Sequence, residues 1–210
     1  FGLANSPTYF MSSQEPSFEL IKFKSISDDE RIARVRKAQQ LMLTKQLSAL
    51  ILDAGTSMEY FTGLRWYPSE RSLLAIIPSN GDLFYICPAF EEDRLNELPK
   101  LKGDVITWDE HENPFELALK QFKMRNMKPG KVGIEDKARF FIAEGLRSST
   151  KNYQFVLGND IIIPCRSIKS DHEIELMQLA SDATIKAIKY AIQFLEEGTT
   201  AAKIVEKIAY

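Results

Sequence analysis

The sequence predicts an α/β protein: a mixed central sheet flanked by helices. Three observations carry that prediction. Strand-like and helix-like segments alternate from about residue 28 to 165, the signature of a layered α/β domain. Asn80-Gly81 lies between two apolar runs and predicts an early hairpin, so the sheet is not wholly parallel. From Ser170 onward only helical spacing remains, which marks a second segment. The expected organisation is an extended arm over 1–24, an α/β domain over 25–165, and the opening helices of a further domain over 170–210.

The elements follow in chain order. Residues 1–24 carry Ser, Pro and Gln with no sustained period. Asp28-Asp29-Glu30 suits a helix start, where acidic groups complement the dipole. Ile32, Val35, Met42 and Leu43 then recur at helical spacing to about Gln46. Ser48 to Asp53 is a short apolar run ended by Gly55, which fits a buried strand. Gly55 to Pro78 reads as an aromatic and charged connection between strands, the kind of place where loops carry binding or catalysis.

Leu73–Ile77 and Leu83–Ile86 are the two arms of the hairpin. Pro88 to Leu98 reads as a short helix, Asp104 to Trp108 as a strand, and Phe115 to Met124 as a helix behind Pro114. Lys131 to Glu135 is a strand after the Pro129-Gly130 turn, and Phe140 to Leu146 a helix. Tyr153–Leu157 and Ile161–Ile163 are the last strand candidates. Ser170-Asp171-His172-Glu173 is a capping box. Ile174, Met177, Ala180, Ala183, Ala187, Ala191 and Leu195 continue the helical stripe to Gly198. Thr199 or Thr200 caps a last helix that runs to Tyr210.

Composition excludes several function classes. A net charge of -2 gives no sequence-independent grip on nucleic acid. The longest apolar runs fall far short of the roughly 18 residues a membrane helix needs. Two cysteines, Cys87 and Cys165, rule out a disulfide framework; two buried free thiols are the favoured reading, with one bridge left open. Phe1 in place of methionine implies a processed, trimmed or excised chain. Phe1–Ser6 fits the remnant of an export signal or a proteolytic boundary equally well, so localisation stays open.

Chemistry-bearing motifs are few. His111 sits in the acidic Asp109–Glu112 cluster, which reads as a solvated loop, and His172 sits in the first turn of the long helix. There is no H-E-x-x-H, no paired-Cys metal motif, no G-x-S-x-G elbow and no phosphate-binding glycine loop. The cluster from Glu59 to Arg71 remains. Tyr60, Phe61, Trp66 and Tyr67 are aromatic; Glu59, Arg65, Glu70 and Arg71 are charged. One reading has Tyr60, Phe61 and Trp66 capping the core while Glu70 and Arg71 pair locally. The other has Glu59, Tyr60, Trp66 and Arg71 at an interface or substrate rim, because Trp, Tyr and Arg are enriched in binding hot spots. The two are compatible.

GTSMEYFTGLRWYPSER, followed by LLAIIPSNGDLFYICPAFEEDR, resembles the amino-terminal creatinase-type domain of pita-bread metallopeptidases, the Xaa-Pro aminopeptidases and prolidases. The resemblance continues through VITWDEHENPFELA, VGIED, CRSIKSDHEIELMQLASDATIKAI and EEGTT, over about residues 28–210. It implies that 25–165 is a creatinase-type domain and 170–210 the truncated start of an α+β pita-bread domain. It also implies a metal-dependent exopeptidase acting on proline-containing peptides, with two divalent ions (manganese, cobalt or zinc) and a homodimer. The resemblance implies that the five ligands of that family lie beyond Tyr210; it assigns no catalytic or metal residue here and implies that 1–210 alone is inactive. Some family members place a tryptophan directly before Tyr-Phe-Thr-Gly, bordering a neighbouring subunit's site; here that position is Glu59. A creatinase-like non-peptidase hydrolase and a protein-binding pseudo-enzyme share the same architecture.

Overall fold

The computed structural model describes residues 22–209. The expected arm therefore lies outside the described residues except for its last three. Ser25–Met177 forms one compact unit, and the helical residues beyond Met177 belong to another.

The first unit opens with α1 (Asp28–Lys45). Ser27 caps it in a complete capping box: the Glu30 amide donates to Ser27 Oγ, and the Ser27 amide donates to Glu30 Oε2 at 2.8 Å. Val35, Ala38 and Met42 form the buried stripe, whereas Ile32 and Leu43 face solvent. β1 (Leu47–Asp53) follows, and then α2 (Thr56–Thr62) occupies ground expected to be loop. Glycines bracket this short helix. Gly63 ends it at φ 81, a left-handed conformation that only glycine adopts cheaply.

β2 (Leu74–Pro78) and β3 (Phe84–Pro88) form the hairpin, with the positive φ of its turn at Gly81. A single 3-10 turn leads into α3 (Glu92–Glu97). β4 (Asp104–Trp108), α4 (Pro114–Met124), β5 (Gly130–Ile134), α5 (Phe140–Ser148) and β6 (Tyr153–Leu157) then alternate as the sequence predicts. Ile161–Ile163, expected as a strand, is instead part of α6 (Asn159–Ser167). Ile161, Ile162 and Cys165 are buried while Ile163 is 56% exposed, which is a helical face and not a strand's alternation. Three consecutive isoleucines carry no period, so sequence alone does not separate the two.

Among the described residues six strands form one sheet in the order β4-β3-β2-β1-β5-β6. β2 is antiparallel to both neighbours and every other pairing is parallel. The carboxyl ends of the five parallel strands therefore share one edge. From β1 the chain moves toward β2; from β5 it moves the other way, toward β6. The gap between β1 and β5 is thus the point where the winding reverses, the place where open α/β sheets gather functional groups. Helices cover both faces. α1, α2, α3 and α6 close one core around Met42, Phe61 and Leu50; α4 and α5 close the other around Phe122, Phe84 and Ile51. Both cysteines are buried free thiols. Burial pushes the Cys87 thiol up to about 12, which leaves it inert.

The second unit takes in the later turns of α7 (Asp171–Ile192) and α8 (Ala201–Ala209). Gly198 at φ 85 separates them, and Thr200 Oγ1 accepts from the Lys203 amide as the cap of α8. Tyr190 meets Phe194 edge-on at 5.0 Å, with Lys207 Nζ 4.8 Å from the Phe194 ring. No helix among the described residues is long and apolar enough to cross a membrane.

Candidate functional site

The carboxyl-terminal edge of the sheet gathers buried polar side chains of the first unit. Asp53 ends β1 and Glu135 directly follows β5. Both carboxylates are buried, at 2% and 5% exposure. The Glu135 side chain accepts the Asp53 amide at 2.6 Å. Burial raises the Glu135 carboxyl pKa, while hydrogen bonds from Ser57 and the Asp53 amide pull the other way.

Asp53 is neutralised by Arg139, whose Nε and Nη2 donate to its two oxygens at 2.8 Å each. That fork-to-fork geometry suits a buried pair. The Arg139 amide adds a third bond to Asp53 at 3.3 Å. On its far side the guanidinium donates to the carbonyls of Ser69 and, at 3.2 Å, Arg71.

A second cluster surrounds Tyr60. Its hydroxyl donates to the Cys165 carbonyl at 2.7 Å, and its own carbonyl accepts Arg34 Nη1 at 2.7 Å. The Arg34 guanidinium carbon lies 4.1 Å from the Tyr60 ring centroid and that of Arg166 lies 5.8 Å away. Burial raises the Tyr60 phenol, and the charge of Glu173 adds to this. Arg34 Nη2 also pairs with Glu173 at 2.8 Å, and His172 Nδ1 lies 2.7 Å from Glu30 Oε1. Tyr60, Cys165, Arg34, Glu173, His172 and Glu30 line an open cleft of about 560 Å³ between α1, the end of α6 and the start of α7. Ser170 and Glu173 complete the expected capping box there.

The four residues singled out in the sequence fall in different surroundings. Glu59 is exposed on α2. Tyr60 lines the α1–α7 cleft. Trp66 is buried at 6% exposure, with the Arg94 guanidinium 4.8 Å from its ring. Arg71 is part-exposed; it pairs with Glu70 and, at 2.6 Å, with Glu110, and its guanidinium carbon lies 4.9 Å from the Phe90 ring. The hydrogen bond from Arg71 to Glu110 raises the guanidinium pKa further.

Sequence reading missed Asp53, Ser57, Glu135 and Arg139. The available signal was an acid ending each of two apolar strands, Leu52-Asp53 and Ile134-Glu135. Among the described residues no group of three or more His, Cys, Asp or Glu side chains could hold a metal ion. The Asp53–Glu135 pair does not fit one, because Arg139 takes both Asp53 oxygens and Glu135 is engaged by donors.

Residues 34–168 match the creatinase/prolidase N-terminal domain family. The chain belongs to this family. Within it, the chain is similar to an uncharacterised peptidase of Schizosaccharomyces pombe, at 30% identity over 198 residues, covering 88% of this chain and 42% of that protein. Among solved structures, the N-terminal domain of the Xaa-Pro dipeptidase from Lactobacillus brevis matches with TM-score 0.57 and 27% identity, over 64% of this chain and 99% of that one. The prolidase of Thermococcus sibiricus shares the fold, with TM-score 0.74 and 24% identity over 88% of this chain and 49% of that one. The chain thus spans about half the length, or less, of the longer relatives.

Proposed function

We propose that this chain is the amino-terminal part of a metal-dependent Xaa-Pro exopeptidase, of aminopeptidase P or prolidase type. In that reading it supplies dimer contacts and part of an active-site rim, and the chemistry belongs to the rest of the protein. The observation that carries the reading is the family match over residues 34–168, joined to the near-complete coverage of a dipeptidase N-terminal domain. Two divalent ions, manganese, cobalt or zinc, would activate water and polarise the carbonyl before proline. No residue of this chain is assigned to them.

The rim would be built from Glu59, Tyr60, Trp66 and Arg71 in unequal roles. Glu59 presents its charge to solvent, Arg71 is part-exposed and paired with Glu70 and Glu110, and Trp66 supports the loop from beneath. An exposed carboxylate at Glu59 is suited to a peptide's free amino group. Residues 170–210 would open the catalytic domain.

The test is the full-length gene product, loaded in turn with each metal and assayed against Xaa-Pro dipeptides, longer Xaa-Pro peptides and creatine. Cleavage before proline supports the reading. Turnover of creatine alone moves the protein to the creatinase-like class, and no turnover with any metal moves it to the binding modules. Activity of a metal-loaded 1–210 fragment would contradict the division of labour directly. Glu59→Ala with unchanged peptide kinetics would remove Glu59 from the rim.

A further inference from the structure

We infer that Arg139 is a positioning residue that holds the α2–β2 connection, residues 64–73, in place over the carboxyl-terminal edge of the sheet. The inference rests on the rim reading given above for its consequence in catalysis, and on geometry for the clamp itself.

The connection carries Trp66 and Arg71 but contains no helix or strand. Its carbonyls are caught by side chains from elsewhere in the fold. Trp108 Nε1 donates to the Ser72 carbonyl at 3.1 Å. Arg139 takes the carbonyls of Ser69 and Arg71. One planar group therefore grips two points of the connection, just beside the side chain that reaches Glu110 and Phe90.

The grip is anchored from below. Asp53 fixes the guanidinium with two bonds of 2.8 Å and is itself 2% exposed at the end of the central strand β1. Its carboxylate is oriented further by the Ala54 and Arg139 amides. Glu135 holds the Asp53 backbone. A rigid fork of five donors serves a carboxylate on one side and two carbonyls on the other; the single ammonium of lysine cannot span both. Arg139 is thus a fixed bracket between the β1–β5 reversal point and the segment proposed for the rim.

The experiment uses Arg139→Gln and Arg139→Lys, the second keeping a cation beside buried Asp53 should the first not fold. Amide hydrogen exchange of this chain is expected to quicken about tenfold in residues 64–73 in either variant, with β1 and β5 as protected as before. In the full-length enzyme, KM for an Xaa-Pro peptide should rise about tenfold with kcat nearly kept, because the rim is displaced while the chemistry is not. Lysine should fail to rescue. Unchanged exchange in 64–73 in both variants overturns the inference. A loosened connection with unchanged KM keeps the clamp but overturns the positioning role, leaving Arg139 a purely structural tie. If the wild-type enzyme cleaves no Xaa-Pro peptide, the functional reading has failed, and the clamp is decided by exchange alone.

Discussion

Glu30 shows how one side chain serves two helices. The Ser27 amide is the main cause that holds its carboxyl at about 2 instead of 4.5, and His172 at the start of α7 adds to it. An acid whose pKa falls on folding contributes stability that is fully present above pH 4.5 and drains away as pH drops from 4.5 to about 2. Glu30→Gln should therefore be destabilised relative to wild type at neutral pH. The gap between their urea midpoints should close over that acidic window. A gap that persists unchanged at pH 2 would mean the loss is in packing and not in charge.

Among the elements, α2 and α6 are the instructive ones. Gly63→Ala should destabilise the first unit by about 1–2 kcal/mol, since the residue sits at φ 81 in the left-handed region. A Cβ there would also come within 2.6 Å of Arg31 Nε, a side chain able to move aside, so conformational strain dominates. Thermal unfolding measures it. That same glycine marks the end of α2: seven residues between two glycines are enough for a short helix, but the aromatic and charged content of Thr56–Arg71 reads as a loop. The other elements of the sheet were legible because their signals are local: Asn80-Gly81 for the hairpin, Pro114 at a helix start, alternation of strand and helix for the layers. α6 was not, because three isoleucines in a row look alike to both periods. The Asp53–Arg139 bracket was illegible for a different reason. Its partners are 86 positions apart, and nothing local in either reveals the pairing.

At the scale of the molecule, the polar groups of the sheet edge join into one line. Arg34 meets Tyr60, Arg166 packs toward the same ring and donates to Ser57 Oγ at 3.0 Å, and Ser57 leads through Glu135 and Asp53 to Arg139. Ser57, 3% exposed, is the middle of this line. Ser57→Ala removes a donor from a buried carboxylate and an acceptor from Arg166, at a cost of about 1–3 kcal/mol near neutral pH. Because the lost hydrogen bond favours charged Glu135, the cost should shrink as acid protonates that carboxyl. Chemical denaturation of both proteins across pH 4 to 8 tests this; a cost that does not vary with pH would place the effect outside Glu135.

The single antiparallel strand has a consequence for the order of events in folding. β2 and β3 are joined by a short turn, so their pairing closes a small loop and can form early. The β1–β5 pairing must bring together segments such as Asp53 and Glu135, 82 positions apart, at a much larger entropic cost. The hairpin, with β1 laid against it, is then expected to nucleate folding, with the β1–β5 seam closing late. Substitutions at Ile76 or Phe84 should slow refolding, while substitutions at Val132 or Ile134 should mainly hasten unfolding. Stopped-flow chevrons would show the reverse split if the parallel seam formed first.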